Sequence, residues 1–318
     1  MSAVAPVELP VDEGTKKQLS SGVAKRAKRR LTSRWATLAA LVIAVLWTLP
    51  TFGLFVSSFR LPALVNSSGW WTIFENWGFT FDNYADVLKS GNGSLDLAGS
   101  FVNSLAITIP ATIAPLVIAS LAAYAFAWID FKGRDWLFIF VFALQIVPIQ
   151  MALVPLLSLF SRGVRVGGTQ LFEGLQASGS YGQIWIAHTV FALPLAIFLL
   201  HNFVSEIPRE LVEAARVDGA GHGQIFFRIV LPLTMPAIAA FAIFQFLWVW
   251  NDLLVALVFA DGAVAPMTKL LAEITGSRGQ DWHLLTAGAF ISILVPLIVF
   301  FALQRYFVRG LLAGSTKG

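Results

Sequence analysis

The stretch FVNSLAITIPATIAPLVIASLAAYAFAW, residues 101–128, carries no charged side chain and is dominated by apolar ones. Crossing the hydrocarbon core of a bilayer takes ~20 mainly apolar residues in a helix, and this stretch is longer than that. A continuous helix is expected because hydrocarbon offers no water to the backbone N–H and C=O groups. The stretch therefore predicts a membrane-spanning helix and an all-α membrane protein.

Five other stretches of the chain have the same character. They lie at residues 35–59, 136–160, 183–203, 234–259 and 285–304. The chain of 318 residues is 57% hydrophobic and only 13% charged, whereas ordinary soluble domains are about 25% charged. The first stretch is longer than the ~7–15 apolar residues of a secretory signal, so we expect it to be retained. The sequence thus predicts a polytopic protein with six transmembrane helices.

Positive charge is distributed unevenly over the segments between these spans. Residues 1–34, 129–135, 204–233 and 305–318 contain 16 of the 22 Lys and Arg residues, and the loops on the other side contain 6. Segments rich in Lys and Arg stay in the cytoplasm, so both termini are predicted to be cytoplasmic. Residues 1–34 are predicted to form a basic cytoplasmic tail, and residues 35–318 the transmembrane domain.

Several classes of function are excluded by what the sequence lacks. The chain has no cysteine, and so no disulfide or thiolate site. It has no Gly-Lys dipeptide, and so no P-loop for nucleotide phosphates. Its four histidines are scattered, so we expect no catalytic residue, no metal site and no cofactor bound by this chain. Its basic residues flank a membrane span, so no nucleic-acid partner is expected.

Eight prolines lie inside or at the rim of the predicted spans. They are Pro50, Pro110, Pro115, Pro148, Pro155, Pro194, Pro236 and Pro296. Each removes one helical hydrogen bond, which membrane helices tolerate where a neighbouring helix or water satisfies the freed carbonyl. The prolines predict a kinked bundle, although proline is also common in ordinary transmembrane helices.

The cytoplasmic loop SEIPRELVEAARVDGAGHGQIFFRIVLP, residues 205–232, has a helical pattern interrupted by glycines. Ser205 is expected to cap a short helix and Pro208 to lie in its first turn. Gly219 and Gly221 are expected to break this helix, and a second helical stretch follows. The loop therefore predicts two short helices joined by a glycine turn.

The first of these helices has a surface suited to a partner. Glu213 and Arg216 have the spacing of an ion pair, and Ala214 and Ala215 offer small side chains that permit close approach. The alternative is an interfacial helix lying on lipid headgroups. Its acidic residues would oppose anionic lipid, which favours docking to a protein.

The string EAARVDGAGHGQIFFRIVLP, residues 213–232, resembles the EAA loop of the membrane subunits of ABC importers. In that loop, Glu-Ala-Ala is followed at fixed distances by a glycine, an isoleucine and Leu-Pro. The residues at these positions are Glu213, Ala214, Ala215, Gly219, Ile229, Leu231 and Pro232. From about residue 35 to the end, the chain resembles the carbohydrate-uptake branch, specifically its second, maltose-transporter-like permease, with a weaker likeness to α-glucoside permeases.

This resemblance implies a type I ABC importer permease fold in a bacterial inner membrane. It implies that the loop, Asp218 included, is a coupling helix seated in a separate ATPase subunit, and that changes at Glu213 or Gly219 uncouple ATP hydrolysis from transport. The implied partners are a second, non-identical permease, two copies of the ATPase carrying ATP and Mg²⁺, an extracytoplasmic sugar-binding protein and the lipid bilayer. The chain itself is then not an enzyme.

Polar side chains within the predicted spans are candidates for the transport pathway. Sugar hydroxyls bind amide and carboxylate groups beside aromatic faces. The candidates are Asn103, Gln145, Gln150, Trp250, Asn251 and Asp252. The alternative for each is structural, since membrane helices use Asn and Gln to hold one another and Trp to anchor at interfaces. Asn251 and Asp252 have the further alternative of capping or gating the outer end of their span.

The predicted function is that of a permease subunit that imports a sugar by alternating access. The sugar is expected to be an oligosaccharide, with an α-glucoside such as maltose or trehalose as one candidate. One alternative is an ion-coupled secondary sugar carrier, although mid-membrane acids and histidines for ion coupling are sparse here. A second alternative is a purely structural membrane subunit.

Overall fold

The structure is a computed structural model that describes residues 34–89, 96–174, 180–274 and 281–313. The chain forms two compact units, residues 1–56 and residues 57–318. Of the first unit, the structure describes only residues 34–56, which belong to one long helix. The predicted basic tail therefore lies outside the described residues, except for Arg34.

Helices make up nearly all of the described chain. In order they are α1 Arg34–Ser58, α2 Pro62–Ser67, α3 Asp82–Leu88, α4 Leu97–Trp128, α5 Arg134–Ala143, α6 Ile149–Arg162, α7 Tyr181–Ser205, α8 Arg209–Val217, α9 His222–Ile225, α10 Leu231–Trp250, α11 Leu254–Phe259, α12 Met267–Ile274 and α13 Trp282–Ala313. Short 3₁₀ turns lie at Trp70–Phe74, Leu144–Ile146 and Gly262–Val264, and a π-helical turn at Phe226–Val230 joins α9 to α10. The antiparallel strands β1 Val164–Val166 and β2 Thr169–Phe172 form a hairpin.

Five helices in the described part of the chain are long and apolar enough to cross a membrane. They are Arg34–Ser58, Leu97–Trp128, Tyr181–Ser205, His222–Trp250 and Trp282–Gln304. A sixth span is present if α5 and α6 count as one broken span. The structure therefore has five or six spans, where the sequence predicted six. The third and fifth predicted spans differ from the helices found.

The predicted third span, residues 136–160, is not one helix. The segment Arg134–Ile146 and helix α6 meet at an angle of 105°. Between them, Val147 and Pro148 adopt extended backbone angles, with ψ of 120° and 132°. A residue before proline is pushed out of the helical region by the proline ring, which accounts for the break at this point.

The predicted fifth span, residues 234–259, also ends earlier than expected. Its helix ends at Trp250, and α11 begins as a separate helix at Leu254. The carboxylate of Asp252 accepts the backbone N–H groups of Val255 and Ala256, at 2.9 and 3.3 Å. Such a bond satisfies N–H groups that lack a partner at the start of a helix, so Asp252 begins a new helix here.

The most extensive helix pair is α4 with α7. Fully buried alanines lie on both helices, at Ala111, Ala119 and Ala123 of α4 and at Ala187 and Ala196 of α7. Small side chains let two membrane helices approach closely, where dispersion contacts hold them together. This pair forms a rigid centre against which α10 also packs.

Three prolines inside the long helices have their freed carbonyls satisfied by a side chain from another helix. Proline has no N–H, so the carbonyl four residues earlier loses its helical partner. For Pro110, Pro115 and Pro296 the replacement bonds are Trp185 Nε1 to Ala106 O at 2.9 Å, Gln245 Nε2 to Ala111 O at 3.2 Å and Trp250 Nε1 to Ser292 O at 3.1 Å. These bonds replace the lost helical partner with a donor from a neighbouring helix, which is one of the two ways expected from the sequence. The kinked bundle stays a prediction.

Candidate coupling loop and transmembrane cavity

Helix α8 ends in a hydrogen-bonded turn built from backbone alone. The N–H of Ala220 donates to the carbonyl of Ala215 at 2.9 Å, and the N–H of Gly219 donates to that of Arg216 at 3.0 Å. This pair of bonds is the Schellman arrangement, which requires a left-handed residue after the helix. Gly219 supplies that residue, with φ of +82°. The predicted glycine break is thus present, and it fixes the direction in which the chain leaves α8.

The need for glycine at position 219 is conformational. A β-carbon built there meets no atom within 4 Å, so no neighbour in this chain crowds the position. An L-residue in the left-handed region costs roughly 1–2 kcal/mol, and glycine escapes that cost. The open space beside Gly219 leaves room for close approach by another molecule.

Helix α8 is held to the bundle by its buried face. Val212 is 0% exposed and packs in one cluster with Ile207 before the helix and with Ile225 and Phe226 after it. The same cluster includes Val204 at the end of α7. The start of α8, its end and the helix that follows therefore share one core, so the loop is a packed unit.

Two polar contacts tie this unit to the last turn of α4. The hydroxyl of Tyr124 and Nδ1 of His222 lie 2.9 Å apart in a hydrogen bond. Arg216 donates from Nη2 to the carbonyl of Trp128 at 3.1 Å. The predicted pair between Glu213 and Arg216 is absent from the ion pairs of the described chain. The guanidinium instead satisfies the end of α4, whose last carbonyls have no helical partner.

The outer face of the loop is open to a partner. Glu213, Ala214, Asp218 and Gly219 are all exposed, and Val217 exposes 88% of its side chain. Leu211 is also exposed, at 48%, and Val212 is the one buried residue of α8. The exposed face of α8, with its apolar side chains, small residues and two carboxylates, is therefore the part of the loop at residues 205–232 most suited to docking.

The start of α8 differs from the predicted one. Helix α7 continues to Ser205, whose hydroxyl lies 3.3 Å from His201 Nε2, so Ser205 ends one helix and does not cap the next. Pro208 directly precedes α8. The apolar run of α7 extends into the loop, and a capping side chain cannot act while its own backbone is still helical.

The Ile-x-Leu-Pro part of the loop lies where α9 continues into α10. Residues 226–230 form a π-helical turn, in which the N–H of Leu231 donates to the carbonyl of Phe226, five residues earlier. This wider turn gives room for the ring of Pro232, which would clash with the carbonyl four residues before it in an ordinary helix. Ile229 and Leu231 are half-buried, and Pro232 is exposed.

A cavity of about 390 Å³ lies where the broken third span meets α7 and α10. Gln145, in the 3₁₀ turn before the break, lines it together with Gln245 and Trp248 of α10. The remaining lining is apolar and aromatic, and it includes Phe241 and Phe244. The structure thus brings one predicted pathway residue, Gln145, to a concave site that a second amide residue, Gln245 of α10, also lines.

Two other predicted pathway residues, Asn103 and Trp250, have structural contacts. Asn103 donates to the carbonyls of Ala263 and Ala265 and accepts from the Tyr181 hydroxyl, so its amide is fully used. Trp250 is 2% exposed, and its one N–H is bonded to Ser292 O.

The remaining three candidates also lie away from the cavity lining. Asn251 is exposed and donates to Leu247 O, and Gln150 is exposed on α6. Asp252 starts α11 and has His188 Nε2 at 3.8 Å from its carboxylate.

Sequence reasoning missed the roles of Tyr124 and His222, which are 98 positions apart. A tyrosine near the end of an apolar span is the ordinary sign of a membrane-interface anchor, and nothing local points to its partner. Across residues 34–89, 96–174, 180–274 and 281–313, no three His, Asp or Glu side chains converge into a metal site.

Comparison with known protein families shows the family to which this chain belongs. Residues 115–312 match the family of binding-protein-dependent transport system inner membrane components. The chain belongs to this family. The matched region contains the loop at residues 205–232, the break between α5 and α6 and the residues that line the cavity. These features therefore belong to an inner-membrane transport component of several spans.

Individual relatives of this chain carry more specific names. This chain is 52% identical over 298 residues to the osmoprotective compounds uptake permease protein GgtD of Synechocystis sp., and the match covers 91% of this chain and 95% of that one. It is 54% identical over 242 residues to the alpha-glucoside transport system permease protein AglG of Rhizobium meliloti, covering 76% of this chain and 61% of that one.

The fold of the component is shared with a solved transporter. A chain of the bacterial alginate ABC transporter, crystallised in complex with an alginate pentasaccharide-bound periplasmic protein, superposes with a TM-score of 0.64. The match covers 87% of this chain and 95% of that chain, at 15% sequence identity. The chain therefore shares its helical fold with a chain of that transporter.

Proposed function

We propose that this chain is the permease subunit of an ABC importer that moves a sugar inward by alternating access, with ATP hydrolysed on separate subunits. The observation that carries the proposal is the form of α8. It exposes Glu213 and Ala214, with Gly219 exposed in the turn that follows, while Val212 packs in the core cluster. Arg216 of α8 and His222 of α9 are hydrogen-bonded to α4. An exposed surface on a firmly attached unit passes a push from outside to the helix behind it.

The coupling step is proposed to run through the loop residues that match the EAA pattern. Glu213, Ala214, Ala215, Asp218 and Gly219 form the docking surface. Ile229, Leu231 and Pro232 form the junction by which α10 follows the same movement. Since Tyr124 and Trp128 both belong to the last turn of α4, a displacement of α8 is expected to move α4 and the α7 helix packed on it.

The substrate is proposed to be a neutral sugar of the α-glucoside class. Two relatives above 50% identity support this, one named for alpha-glucosides and one for osmoprotective compounds. The cavity beside the broken span is lined by amides and aromatic rings with no charged side chain, which suits a neutral polyol. The other polar residues predicted for the pathway remain candidates where the transport path runs beyond this cavity.

The proposed assembly and orientation follow the resemblance and the charge distribution. We propose six spans in a bacterial inner membrane, with both termini cytoplasmic, since 16 of 22 basic residues fall on that side. The partners proposed are a second permease, two ATPase copies that bind ATP and Mg²⁺, and an extracytoplasmic sugar-binding protein. No cofactor is proposed on this chain itself.

Uptake into proteoliposomes tests this function. The complex of permeases, ATPase and binding protein is expected to import radiolabelled maltose, trehalose or another α-glucoside only when ATP is present on the ATPase side. Uptake that survives ATP depletion and collapses with a proton uncoupler would identify an ion-coupled carrier instead. A complex whose ATPase rate does not change with sugar-loaded binding protein, and which imports nothing, would indicate a structural subunit.

A variant links that assay to the loop. Gly219→Pro is expected to leave membrane insertion intact and to reduce uptake to background. Proline cannot adopt φ of +82°, and it lacks the N–H that bonds to Arg216 O. Uptake at the normal rate by this variant would contradict the coupling role.

A further inference from the structure

We propose that the cavity beside the broken third span is a sugar subsite supplied by this chain, in which Gln245 accepts a hydrogen bond from a sugar hydroxyl. Trp248 provides the aromatic wall and Gln145 the polar rim. The proposal rests on the function proposed above and adds the residues that hold the ring.

The first observation is that the side-chain amide of Gln245 has a hydrogen-bond partner at its nitrogen and none at its oxygen among the described residues. Gln245 is 0% exposed, and its Nε2 donates to Ala111 O. That carbonyl requires a donor because Pro115 removes its helical one, so the orientation of the amide is fixed with nitrogen toward α4. Its Oε1 then has no hydrogen-bond partner among the described residues. A buried amide oxygen without a partner costs about 1–3 kcal/mol, and a bound hydroxyl would supply the missing donor.

The second observation is the broken backbone at the same cavity. Non-helical backbone at membrane depth is tolerated where it lines a polar cavity or is buried in protein, since lipid satisfies no N–H or C=O group. The turn at Leu144–Ile146 and the break at Val147 and Pro148 border the space that Gln245 also lines. Discontinuous helices at mid-membrane form substrate sites in other transporters for this physical reason.

The third observation is the chemistry of the walls. Among the described residues, no Asp, Glu, Lys, Arg or His lines the cavity, so an ionic ligand would find no counter-charge from them there. The lining has two amides and the rings of Phe191, Phe241, Phe244 and Trp248, and its volume of about 390 Å³ falls in the range of small-molecule sites. A ligand with hydroxyl groups and one apolar face matches this surface, and a pyranose ring has both.

The proposal is tested by measuring how tightly radiolabelled sugar binds to the purified complex of both permeases and the ATPase, without the binding protein. The sugar used is the α-glucoside that the wild-type complex imports fastest from a panel of maltose, trehalose and sucrose. Gln245→Met keeps the volume and removes the amide. It is expected to weaken binding about tenfold, the equilibrium equivalent of ~1.4 kcal/mol. Gln145→Ala, at an exposed position, is expected to weaken it about threefold without loss of thermal stability.

A matched control separates the subsite from helix packing. Trp185→Phe also leaves one α4 carbonyl, Ala106 O, without its donor, but Trp185 does not line the cavity. It is expected to lower thermal stability as Gln245→Met does and to leave sugar binding unchanged.

The outcomes distinguish the subsite proposal from the importer function on which it rests. If the wild-type complex imports an α-glucoside while Gln245→Met and Gln145→Ala bind it normally, the subsite is wrong and the importer function stands. Equal weakening by Gln245→Met and Trp185→Phe would also overturn the subsite. If the wild-type complex imports none of the panel under ATP, the proposed substrate class falls, and the subsite falls with it.

Discussion

The end of the bundle that carries α8 and the middle of the bundle use their polar groups differently. Around α8, the turn at Gly219 pairs backbone N–H and C=O groups, Arg216 donates to Trp128 O, and the Tyr124 hydroxyl is hydrogen-bonded to His222. In the middle, Gln245 Oε1 has no partner within the described chain, and the helix breaks at Pro148. The contacts around α8 hold a short helix in place, which suits a part that transmits movement, whereas the unused acceptor of Gln245 belongs to a residue that lines a cavity, which suits a part that receives a ligand.

The largest expected effect is at the end that carries α8. Gly219 and Gly133 have nearly the same φ, +82° and +83°, and at both a β-carbon would meet no atom within 4 Å. Valine at either position carries the same backbone cost, roughly 1–2 kcal/mol. We expect Gly219→Val to lower sugar uptake at least tenfold, because it also obstructs the docking surface, and Gly133→Val to retain most uptake.

Uptake is measured in proteoliposomes at matched amounts of inserted complex. Equal losses for the two valine variants would mean that backbone strain alone explains the result. In that case the open space beside Gly219 would not be needed by a partner.

The next effect concerns the middle of the bundle. Trp250→Phe keeps the aromatic packing and removes the donor to Ser292 O, which Pro296 has already deprived of its helical partner. The cost of the unsatisfied carbonyl is about 1–3 kcal/mol, so the thermal unfolding midpoint should fall. Trp71→Phe, at a position that is 66% exposed, is the control and should leave the midpoint unchanged. A midpoint for Trp250→Phe equal to the wild-type value would show that water satisfies this carbonyl.

The smallest expected effect concerns the hydrogen bond between Tyr124 of α4 and His222 of α9. Tyr124→Phe removes one hydrogen bond to His222, worth about 0.5–1.5 kcal/mol, and keeps the ring against Phe226. We expect sugar imported per ATP hydrolysed to fall by about twofold or more. Tyr181→Phe removes a comparable bond to Asn103 and should not change this ratio. A similar fall in both variants would assign the loss to general loosening of the bundle.

The positions of the spans could be predicted because hydropathy is a local property. The positions at which the spans break could not be predicted from hydropathy. Pro110 and Pro115 leave α4 continuous, since Trp185 and Gln245 donate to the carbonyls that they free, whereas Pro148 coincides with a 105° bend. Trp185 and Gln245 come from distant parts of the chain, and single-sequence periodicity does not reveal such contacts.

The candidate site was predictable to a similar degree. The turn at Gly219 followed from the sequence, because a glycine after an amphipathic helix has a known conformational use. The pathway candidates were less well predicted. Trp250 resembled a sugar-stacking ring, but the structure uses it to satisfy a helix carbonyl, and Gln245 was set apart only by contacts with α4.

The central claim is that the exposed face of α8 is covered by an ATPase subunit in the assembled transporter. The chain has no cysteine, so Ala214→Cys gives a single reporter on that face, and Thr169→Cys in the exposed β-hairpin gives a control. The account predicts that a thiol reagent labels Cys at 214 rapidly in the permeases alone and slowly once the ATPase is bound. Labelling at 169 should be unaffected. Equally rapid labelling at 214 in the complete complex would contradict the account.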